Sequence, residues 1–289
     1  QRIPSSANLP YYLEIVRECH LKRRMLSICA TVAAKVKTAP VGINELLDEC
    51  EGEMLALSES RVSSSLRGIR ELVSESLARI ENLMTRRGEI SGLRSGFADL
   101  DRLTGGFRPG EMIIIAARPS LGKTSLAMNI ADFVAVNCKI PVAIFSLEMT
   151  AAAIVDRMIC SRARVNLRAL MFGMSDPTTN AAIADAASKI AAAPLFIDDE
   201  SGQSILQVRA KARRWRNRYQ IGLAIIDYIQ LLTGEGMRKK YEGRQQEMSQ
   251  VSAGIKNLAK ELSIPIIALS QLNRNIERDK GRRPCLSDL

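Results

Sequence analysis

The spacing of apolar residues divides the chain into two regions, one with helical spacing throughout and one in which short apolar runs alternate with helical segments. In the first region, residues 10–37 carry apolar side chains at helical intervals, which predicts an amphipathic helix. A second apolar pattern, INELLDECEGEML, follows the break at Pro40-Val41-Gly42. Residues 65–87 carry one apolar stripe with charged residues opposite, and a third helix is predicted there. The members of the first set are Leu13, Val16, Met25, Cys29, Val32 and Val36, and those of the stripe are Ile69, Val73, Leu77, Ile80 and Met84.

The spacing of apolar residues changes after Gly88, where short apolar runs begin to alternate with helical segments. Continuous β-branched runs between helices are typical of parallel strands covered on both faces. We therefore predict an α/β fold with a mainly parallel sheet flanked by helices. The predicted strands are MIIIAA (112–117), VAIFSL (142–147), LFID (195–198), LAIID (223–227) and PIIALS (265–270), and the predicted helices span 123–137, 150–163, 178–192, 203–219 and 247–262.

These patterns predict three parts: a helical N-terminal region (1–62), a helix (63–88) and an α/β domain (89–289). The helix 63–88 has two interpretations, because its stripe is suited either to packing on its own domain or to connecting two domains. No apolar run approaches the ~20 residues of a membrane helix, and the start QRIPSSANLP has no signal-peptide pattern. Because the chain lacks an initiator Met, we expect a fragment of a longer protein.

Charge and cysteine content add little about the fold but restrict the partners. Among 289 residues there are 41 Lys and Arg against 31 acids, a net charge of +10, which favours an anionic partner. The six cysteines form no CxxC pair, and His20 is the single histidine. This distribution argues against a zinc site and predicts reduced core cysteines of a cytosolic protein.

The stretch ARPSLGKTS directly follows the first predicted strand and precedes a predicted helix. Gly-Lys-Thr in that position is typical of a phosphate-binding loop, in which backbone N–H groups at the helix start face the phosphates. Lys123 would neutralise phosphate charge and the Thr124 hydroxyl would bind Mg²⁺. The alternative is an ordinary strand-to-helix turn. Ala117 replaces the usual first glycine, which is acceptable if it keeps strand dihedrals and the sharp turn falls at Pro119-Ser120. The predicted nucleotide-binding residues are Ala117, Arg118, Pro119, Ser120, Leu121, Gly122, Lys123, Thr124 and Ser125.

Carboxylates follow two of the predicted strands, where parallel sheets place ligand chemistry. Asp227 ends LAIID and is predicted to lie near Mg²⁺, with a helix-capping role as the alternative. Glu148 follows VAIFSL and is predicted to orient the water for hydrolysis, with Asp198 and Asp199 as rivals. Gln271 follows PIIALS and is placed to sense the terminal phosphate, or is a plain surface residue.

Two polar segments after these strands are candidates for nucleic-acid contact, since Lys and Arg there would pair with phosphates. The first is 233–250 and the second follows Gln271; mobile solvated loops are the alternative. A third basic stretch, QVRAKARRWRNRYQ, is predicted to be a helix whose polar side faces solvent or another subunit. The candidate DNA contacts are Arg238, Lys239, Lys240, Arg244, Arg274, Arg282 and Arg283.

Five segments together resemble the DnaB-type replicative helicases of bacteria and phages: GFADLDRLTGGFRPGEMIIIAARPSLGKTS, FSLEM, IIDYIQLL, LAKELSIPIIALSQLNR and RRPCLSDL. The resemblance covers roughly 89–289 and includes Ala117, since ARPS-x-GKT is common in that family. It implies a RecA-like ATPase core in a hexameric ring, with ATP and Mg²⁺ as cofactors. It also implies single-stranded DNA, a helicase loader and a primase as partners, and a cytoplasmic location. By this resemblance, Lys123, Glu148 and Gln271 act in catalysis, and Thr124 and Asp227 lie at the metal.

The resemblance further implies that residues 1–62 are a remnant of the helical N-terminal domain, and that 63–88 are the linker helix. An arginine finger and the main DNA loop are expected beyond Leu289.

Two other functions remain open at this point. One is a RecA-like ATP-dependent switch or recombination protein that binds DNA without unwinding it. The other is an assembly fragment that acts through residues 1–87.

Overall fold

The structure, a computed structural model, describes residues 9–38, 69–85, 90–172, 176–233 and 244–272. The chain forms two compact units, Gln1–Met84 and Thr85–Leu289. None of the described helices is both long and apolar enough to cross a membrane.

In the first unit, the described residues form two helices, which confirm the helices predicted over 10–37 and 65–87. Helix α1 spans Leu9–Thr38 and helix α2 spans Ile69–Thr85. The stripe of α2 is exposed in all five members, Ile69, Val73, Leu77, Ile80 and Met84. In α1, Ile28 is buried, whereas Val16, Met25 and Val36 from the predicted set are exposed. The pattern INELLDECEGEML lies outside the described residues.

The second unit is an α/β domain with five strands in the described residues, all parallel and ordered β1-β5-β4-β2-β3. The strands are β1 (Met112–Ala117), β2 (Val142–Ser146), β3 (Leu195–Asp198), β4 (Leu223–Asp227) and β5 (Ile266–Gln271). The helices are α3 (Ala98–Thr104), α4 (Lys123–Asp132), α5 (Ala151–Ala163), α6 (Leu167–Met171), α7 (Pro177–Ala191), α8 (Ile205–Tyr219) and α9 (Arg244–Leu262). Every predicted strand is confirmed within one residue at either end.

Alternating strand side chains supply two hydrophobic cores, one on each face of the sheet. Ala143 and Phe145 of β2 lie in the core that α8 and α9 cover. Val142 and Ile144 lie in the core that α4, α5 and α7 cover. Both β2 and β4 are buried along their whole length, which explains why their sequences are continuously apolar.

Three helices begin with side-chain caps that their sequences supply. Thr150 accepts a hydrogen bond from the N–H of Ala153 at the start of α5, and Asp176 accepts one from Thr179 at the start of α7. Ser204 and Gln207 form a capping box on α8. These caps fix where each helix begins after the preceding strand or loop.

Two features differ from the predicted helices. The segment predicted as one helix over 123–137 is α-helical only to Asp132 and continues as a π-helical turn, Phe133–Asn137. The helices α3 and α6 were not predicted, because segments of 7 and 5 residues are too short to show a helical period.

The prediction of core cysteines holds for Cys160, which is buried, but is wrong for Cys19 and Cys29, which are exposed thiols.

Candidate active site

The loop between β1 and α4 turns sharply at two residues with positive φ. Ala117 is the last residue of β1, and Lys123 is the first of α4. The positive φ angles are 63° at Ser120 and 89° at Gly122. A Cβ at position 122 would contact nothing within 4 Å, so glycine is required there by the backbone angle and not by space.

Helix α4 begins differently from the capped helices. Gly122 is its N-cap residue and makes no side-chain cap hydrogen bond. The N–H groups of a helix start need an acceptor, and the helix dipole makes that position favourable for an anion. The uncapped start of α4 is therefore suited to a phosphate group.

Asp227 joins the start of α4 to the end of β4. Its carboxylate is fully buried and lies at the end of the strand. The ammonium of Lys123 donates to its Oδ1 at 3.2 Å, and the Thr124 hydroxyl donates to its Oδ2 at 2.7 Å. These two bonds satisfy a buried charge that would otherwise be costly. The segment that follows is a 3-10 turn, Ile229–Leu231, with Tyr228 as its N-cap residue, so the alternative helix-capping role of Asp227 does not apply.

Glu148 lies on a turn held by Ser146, the last residue of β2. The Ser146 hydroxyl donates to the carbonyl of Met149 at 2.7 Å and accepts from its N–H at 3.2 Å. The N–H of Leu147 donates to the carbonyl of Asp227 at 2.7 Å. The Glu148 carboxylate is about half exposed, and its Oε2 is 3.6 Å from the Lys123 ammonium. It therefore faces solvent while remaining within reach of the loop.

Tyr228 is a contact of the loop lysine that the sequence did not reveal. The Lys123 ammonium lies 4.1 Å from the centroid of its ring, within the range of a cation–π interaction. The peptide bond between Asp227 and Tyr228 is cis. The feature of the sequence that could have indicated this contact is a polar aromatic residue directly after the apolar strand LAIID. Lys123 is thus held between two carboxylates and an aromatic face.

Gln271 ends β5, the strand that lies between β1 and β4 in the sheet. It pairs with Ala117 in the β1–β5 ladder. On its other side, the side chain of Gln230 donates to its carbonyl at 3.0 Å. The structure thus places Gln271 at the same sheet edge as the loop and Asp227. The contact of Gln271 with Gln230 was not predicted from the sequence.

The rival carboxylates at the end of β3 have other partners. Asp198 and Glu200 accept hydrogen bonds from the Lys211 ammonium at 2.6 and 2.5 Å. Burial alone would lower the pKa of Lys211, but these bonds outweigh it and raise the pKa. Asp199 accepts from the N–H of Ala151 at the start of α5. This geometry favours Glu148 over both rivals as the carboxylate at the loop.

The basic stretch in α8 differs from its prediction, because most of its cations bind groups of the same domain. Arg209 and Arg213 both pair with Glu261 of α9, and Arg216 donates to the carbonyl of Ile221 at 2.6 Å. Arg214 is exposed, and Arg218, also exposed, lies 5.2 Å from the ring of Tyr219. Four of the six cations, Arg209, Lys211, Arg213 and Arg216, are therefore only partly exposed and already paired within the domain.

The candidate DNA contacts cannot be placed in the same way. Arg238, Lys239, Lys240, Arg274, Arg282 and Arg283 lie outside the described residues, and Arg244 is described only as the first residue of α9.

The residues at the sheet edge fit magnesium bound through a nucleotide. The hydroxyl of Thr124 and the carboxylate of Asp227 are oxygen ligands of the kind Mg²⁺ prefers. Within the described ranges, no group of three or more His, Cys, Asp and Glu side chains could hold a metal ion. Mg²⁺ is usually held in proteins by one or two carboxylates, with phosphates and waters as its other ligands.

Comparison with known families supports one assignment. Residues 92–289 match the family described as the DnaB-like helicase C-terminal domain. The replicative DNA helicase DnaB of Geobacillus stearothermophilus is 39% identical over 287 residues, which is 99% of this chain and 63% of that protein. The replicative DNA helicase DnaC of Bacillus subtilis (strain 168) is 38% identical, again over 99% of this chain and 63% of its own length. The chain therefore spans about 63% of the length of these relatives.

Solved structures agree with the sequence matches. A DnaB-like replicative helicase, described with its interactions with primase, superposes with a TM-score of 0.74 at 28% identity, covering 99% of this chain and 66% of that one. The ATPase domain of G40P superposes with a TM-score of 0.67 at 33% identity, covering 75% and 77%. The predicted RecA-like α/β fold is thereby confirmed.

Proposed function

The chain belongs to the DnaB-like helicase family, and on that basis we propose that it is the ATP-hydrolysing motor of a replicative DNA helicase. The activity is ATP-driven translocation on single-stranded DNA by a hexameric ring, which unwinds duplex at the replication fork. The site of hydrolysis is the sheet edge at Lys123, Thr124, Glu148 and Asp227. A RecA-like switch without unwinding is less well supported, since the similar proteins are named helicases.

The observation that carries this proposal is the convergence of four charged or polar side chains from three separate elements. Lys123 and Thr124 come from the start of α4, Asp227 from β4, and Glu148 from the turn after β2. A P-loop ATPase needs a lysine at the phosphates, oxygen ligands for Mg²⁺ and a group that orients water. Each requirement has a residue at this edge.

Each residue would make a distinct contribution to hydrolysis. Lys123 and the uncapped N–H groups of α4 bind the phosphates, and Thr124 and Asp227 hold Mg²⁺. Bound Mg²⁺ supplies positive charge against the phosphate oxygens during transfer. Glu148, which is half exposed 3.6 Å from Lys123, orients the attacking water and accepts its proton. Gln271 senses the terminal phosphate from the neighbouring strand.

The remaining parts of the proposal concern assembly. Residues 1–62 belong to a helical N-terminal domain, residues 63–88 are a linker helix, and residues 89–289 belong to the ATPase domain. The exposed stripe of α2 docks on a neighbouring subunit of the ring. DNA is contacted by Arg238, Lys239, Lys240, Arg244, Arg274, Arg282 and Arg283. A helicase loader and a primase are the expected protein partners, in the cytoplasm, where bacterial and phage DNA is replicated.

The test is strand displacement from a forked duplex by the full-length protein with ATP and Mg²⁺. Unwinding by the wild type and its loss in Lys123→Ala is the expected result. DNA-stimulated ATP hydrolysis without strand displacement would instead support the RecA-like switch. A protein that neither hydrolyses ATP nor unwinds would refute the proposed function.

A further inference from the structure

The side chain of Gln230 connects the end of β4 to the end of β5. Gln230 lies in the 3-10 turn Ile229–Leu231, three residues after Asp227. Its Nε2 donates to the Ser270 hydroxyl at 2.9 Å and to the carbonyl of Gln271 at 3.0 Å. Its Oε1 accepts from the N–H of Gln271 at 3.3 Å. One side-chain amide therefore binds both backbone polar groups of Gln271.

This amide takes the place of a strand residue that β4 does not provide. The β4–β5 ladder ends at the pair Ile226 and Ala268, whereas β5 continues to Gln271. On the opposite side, Gln271 is already paired with Ala117, whose carbonyl also accepts from the N–H of Leu272 at 3.1 Å. Backbone groups inside a sheet need partners on both sides, and Gln230 supplies them on the open side.

The turn that carries Gln230 begins two residues after Asp227 and is held by its own backbone hydrogen bonds and by core packing. The N–H of Leu231 donates to the carbonyl of Tyr228, and the N–H of Leu232 donates to that of Ile229, each at 3.1 Å. The side chains of Ile229 and Leu232 are buried in the core beneath. Asp227, the turn and Gln271 are thus linked without a flexible segment between them.

We propose that Gln230 is a positioning residue that sets Gln271 relative to Asp227, so that the phosphate sensor is correctly placed when nucleotide binds. The inference rests on the proposed function, because it gives Gln271 the sensor role. The hydrogen bonds of the Gln230 side chain go to Ser270 and Gln271, and so it acts through Gln271. Its removal affects the reaction step and not the binding of nucleotide.

The first experiment measures kcat and KM for ATP, and ADP affinity, in the full-length protein with single-stranded DNA. Gln230→Met keeps the length of the side chain and removes all three hydrogen bonds. Because misplacement of a reacting-site group by about 1 Å can cost about 10²-fold, kcat should fall about 10- to 100-fold with KM and ADP affinity changed less than about twofold. Asn180→Leu removes an exposed amide from α7 and should leave all three values unchanged. An unchanged kcat in Gln230→Met would overturn the inference.

Gln230→Glu provides a second route in case the methionine variant does not fold. It keeps an acceptor for the N–H of Gln271 but loses both donated bonds and brings a carboxylate towards the Gln271 carbonyl. The same selective loss of kcat is expected. Equal losses of kcat and ADP affinity, together with a lower melting temperature, would indicate a structural role alone and overturn the inference.

A double-mutant cycle tests whether Gln230 acts through Gln271. Gln271→Ala removes the sensor side chain but keeps the backbone groups that Gln230 binds. If Gln230 only positions that side chain, Gln230→Met should change kcat less than about twofold in the Gln271→Ala background. Losses that multiply would overturn the inference while leaving the helicase proposal intact. A wild-type protein without DNA-stimulated ATP hydrolysis would instead refute the proposed function and, with it, this inference.

Discussion

The hydroxyl of Thr124 donates a hydrogen bond across 2.7 Å to the carboxylate of Asp227, a residue 103 positions later in the chain. The parallel sheet makes this contact possible, because α4 begins at the same edge at which β4 ends. The same carboxylate also binds Lys123. The start of α4 is therefore joined directly to the end of β4 through one carboxylate.

Replacing Lys123 with alanine should abolish measurable nucleotide binding. The ammonium is the side-chain cation at the start of α4, and without it the carboxylates of Asp227 and Glu148 would face the phosphates unopposed. Isothermal titration calorimetry with ADP and ATP measures the effect. Lys189→Ala, which removes an exposed lysine paired with Asp185 on α7, serves as the control. Undiminished affinity in Lys123→Ala would refute the phosphate-binding loop.

Glu148→Gln should leave nucleotide affinity and oligomeric state intact while turnover falls by about 10²- to 10⁴-fold. The amide preserves the shape of the side chain but cannot accept the proton of the attacking water. Steady-state ATP hydrolysis with single-stranded DNA is the measurement. The matched variant is Asp198→Asn, which disrupts the ion pair with Lys211. Normal turnover in Glu148→Gln together with loss of turnover in Asp198→Asn would show that Asp198, and not Glu148, orients the water.

The Thr124 hydroxyl should determine the magnesium requirement. Thr124→Val keeps the shape and removes the oxygen, whereas Thr124→Ser keeps the oxygen. Loss of a group that orients a metal site typically costs about 10- to 100-fold in metal affinity, so the Mg²⁺ concentration for half-maximal hydrolysis should rise by that factor in the valine variant. The serine variant should remain within a few-fold of wild type. An unaltered magnesium dependence in both variants would remove Thr124 from the metal site.

The exposed stripe of α2 should hold the oligomer together. Val73→Asp combined with Leu77→Asp would bury two unpaired charges at the proposed subunit contact, which costs several kcal/mol. Sedimentation velocity of the full-length protein should show loss of the ring. The control places the same charges at two exposed positions outside the stripe, Ser74 and Ala78. A folded stripe variant that sediments like wild type would contradict the docking role.

The contact between α8 and α9 should weaken in acid. Burial alone would raise the pKa of Glu261, but hydrogen bonds from Arg213 and Arg209 outweigh it and lower the pKa. A carboxyl with a lowered folded-state pKa stabilises the protein above the unfolded value of 4.5, and that contribution is lost as the pH falls through the folded value.

Thermal unfolding of wild type and Glu261→Gln measures this contribution. The variant should melt a few degrees lower at pH 7, and the difference should shrink below about pH 4.5. Asp185→Asn, which removes an exposed pair one helical turn apart, should have little effect at either pH. A constant difference between wild type and Glu261→Gln across this range would show that the pair is not the cause.

The sequence predicted those parts of the fold that follow from local patterns. Continuous runs such as those of β2 and β4 are buried on both faces, so composition alone identifies them. The loop residues Gly122 and Lys123 were predicted because their spacing is dictated by the turn and the helix start. The clustering of Asp227 and Glu148 followed from the common edge of a parallel sheet.

The remaining features depend on contacts between distant segments. The cation–π contact of Tyr228 and the bridging amide of Gln230 require knowledge of which strand neighbours β4 and where its ladder stops. The π-helical turn after Asp132 has the same apolar period as the α-helix before it. The partners of Lys211 and Arg213 lie on β3, on the turn after it and on α9, so a basic helix read in isolation looks solvated.

The internal pairing of α8 has a consequence for the strength of DNA binding at different salt concentrations. Residues 209–218 contain six cations in ten positions, which on a free surface would strengthen DNA binding mainly by displacing condensed counterions from the nucleic acid. A cation already neutralised by Glu261, Asp198 or Glu200 has little charge left to displace them. The slope of log affinity against log salt should therefore barely change when Arg209 or Arg213 is replaced, so the most basic stretch of the chain stabilises the domain more than it attracts DNA.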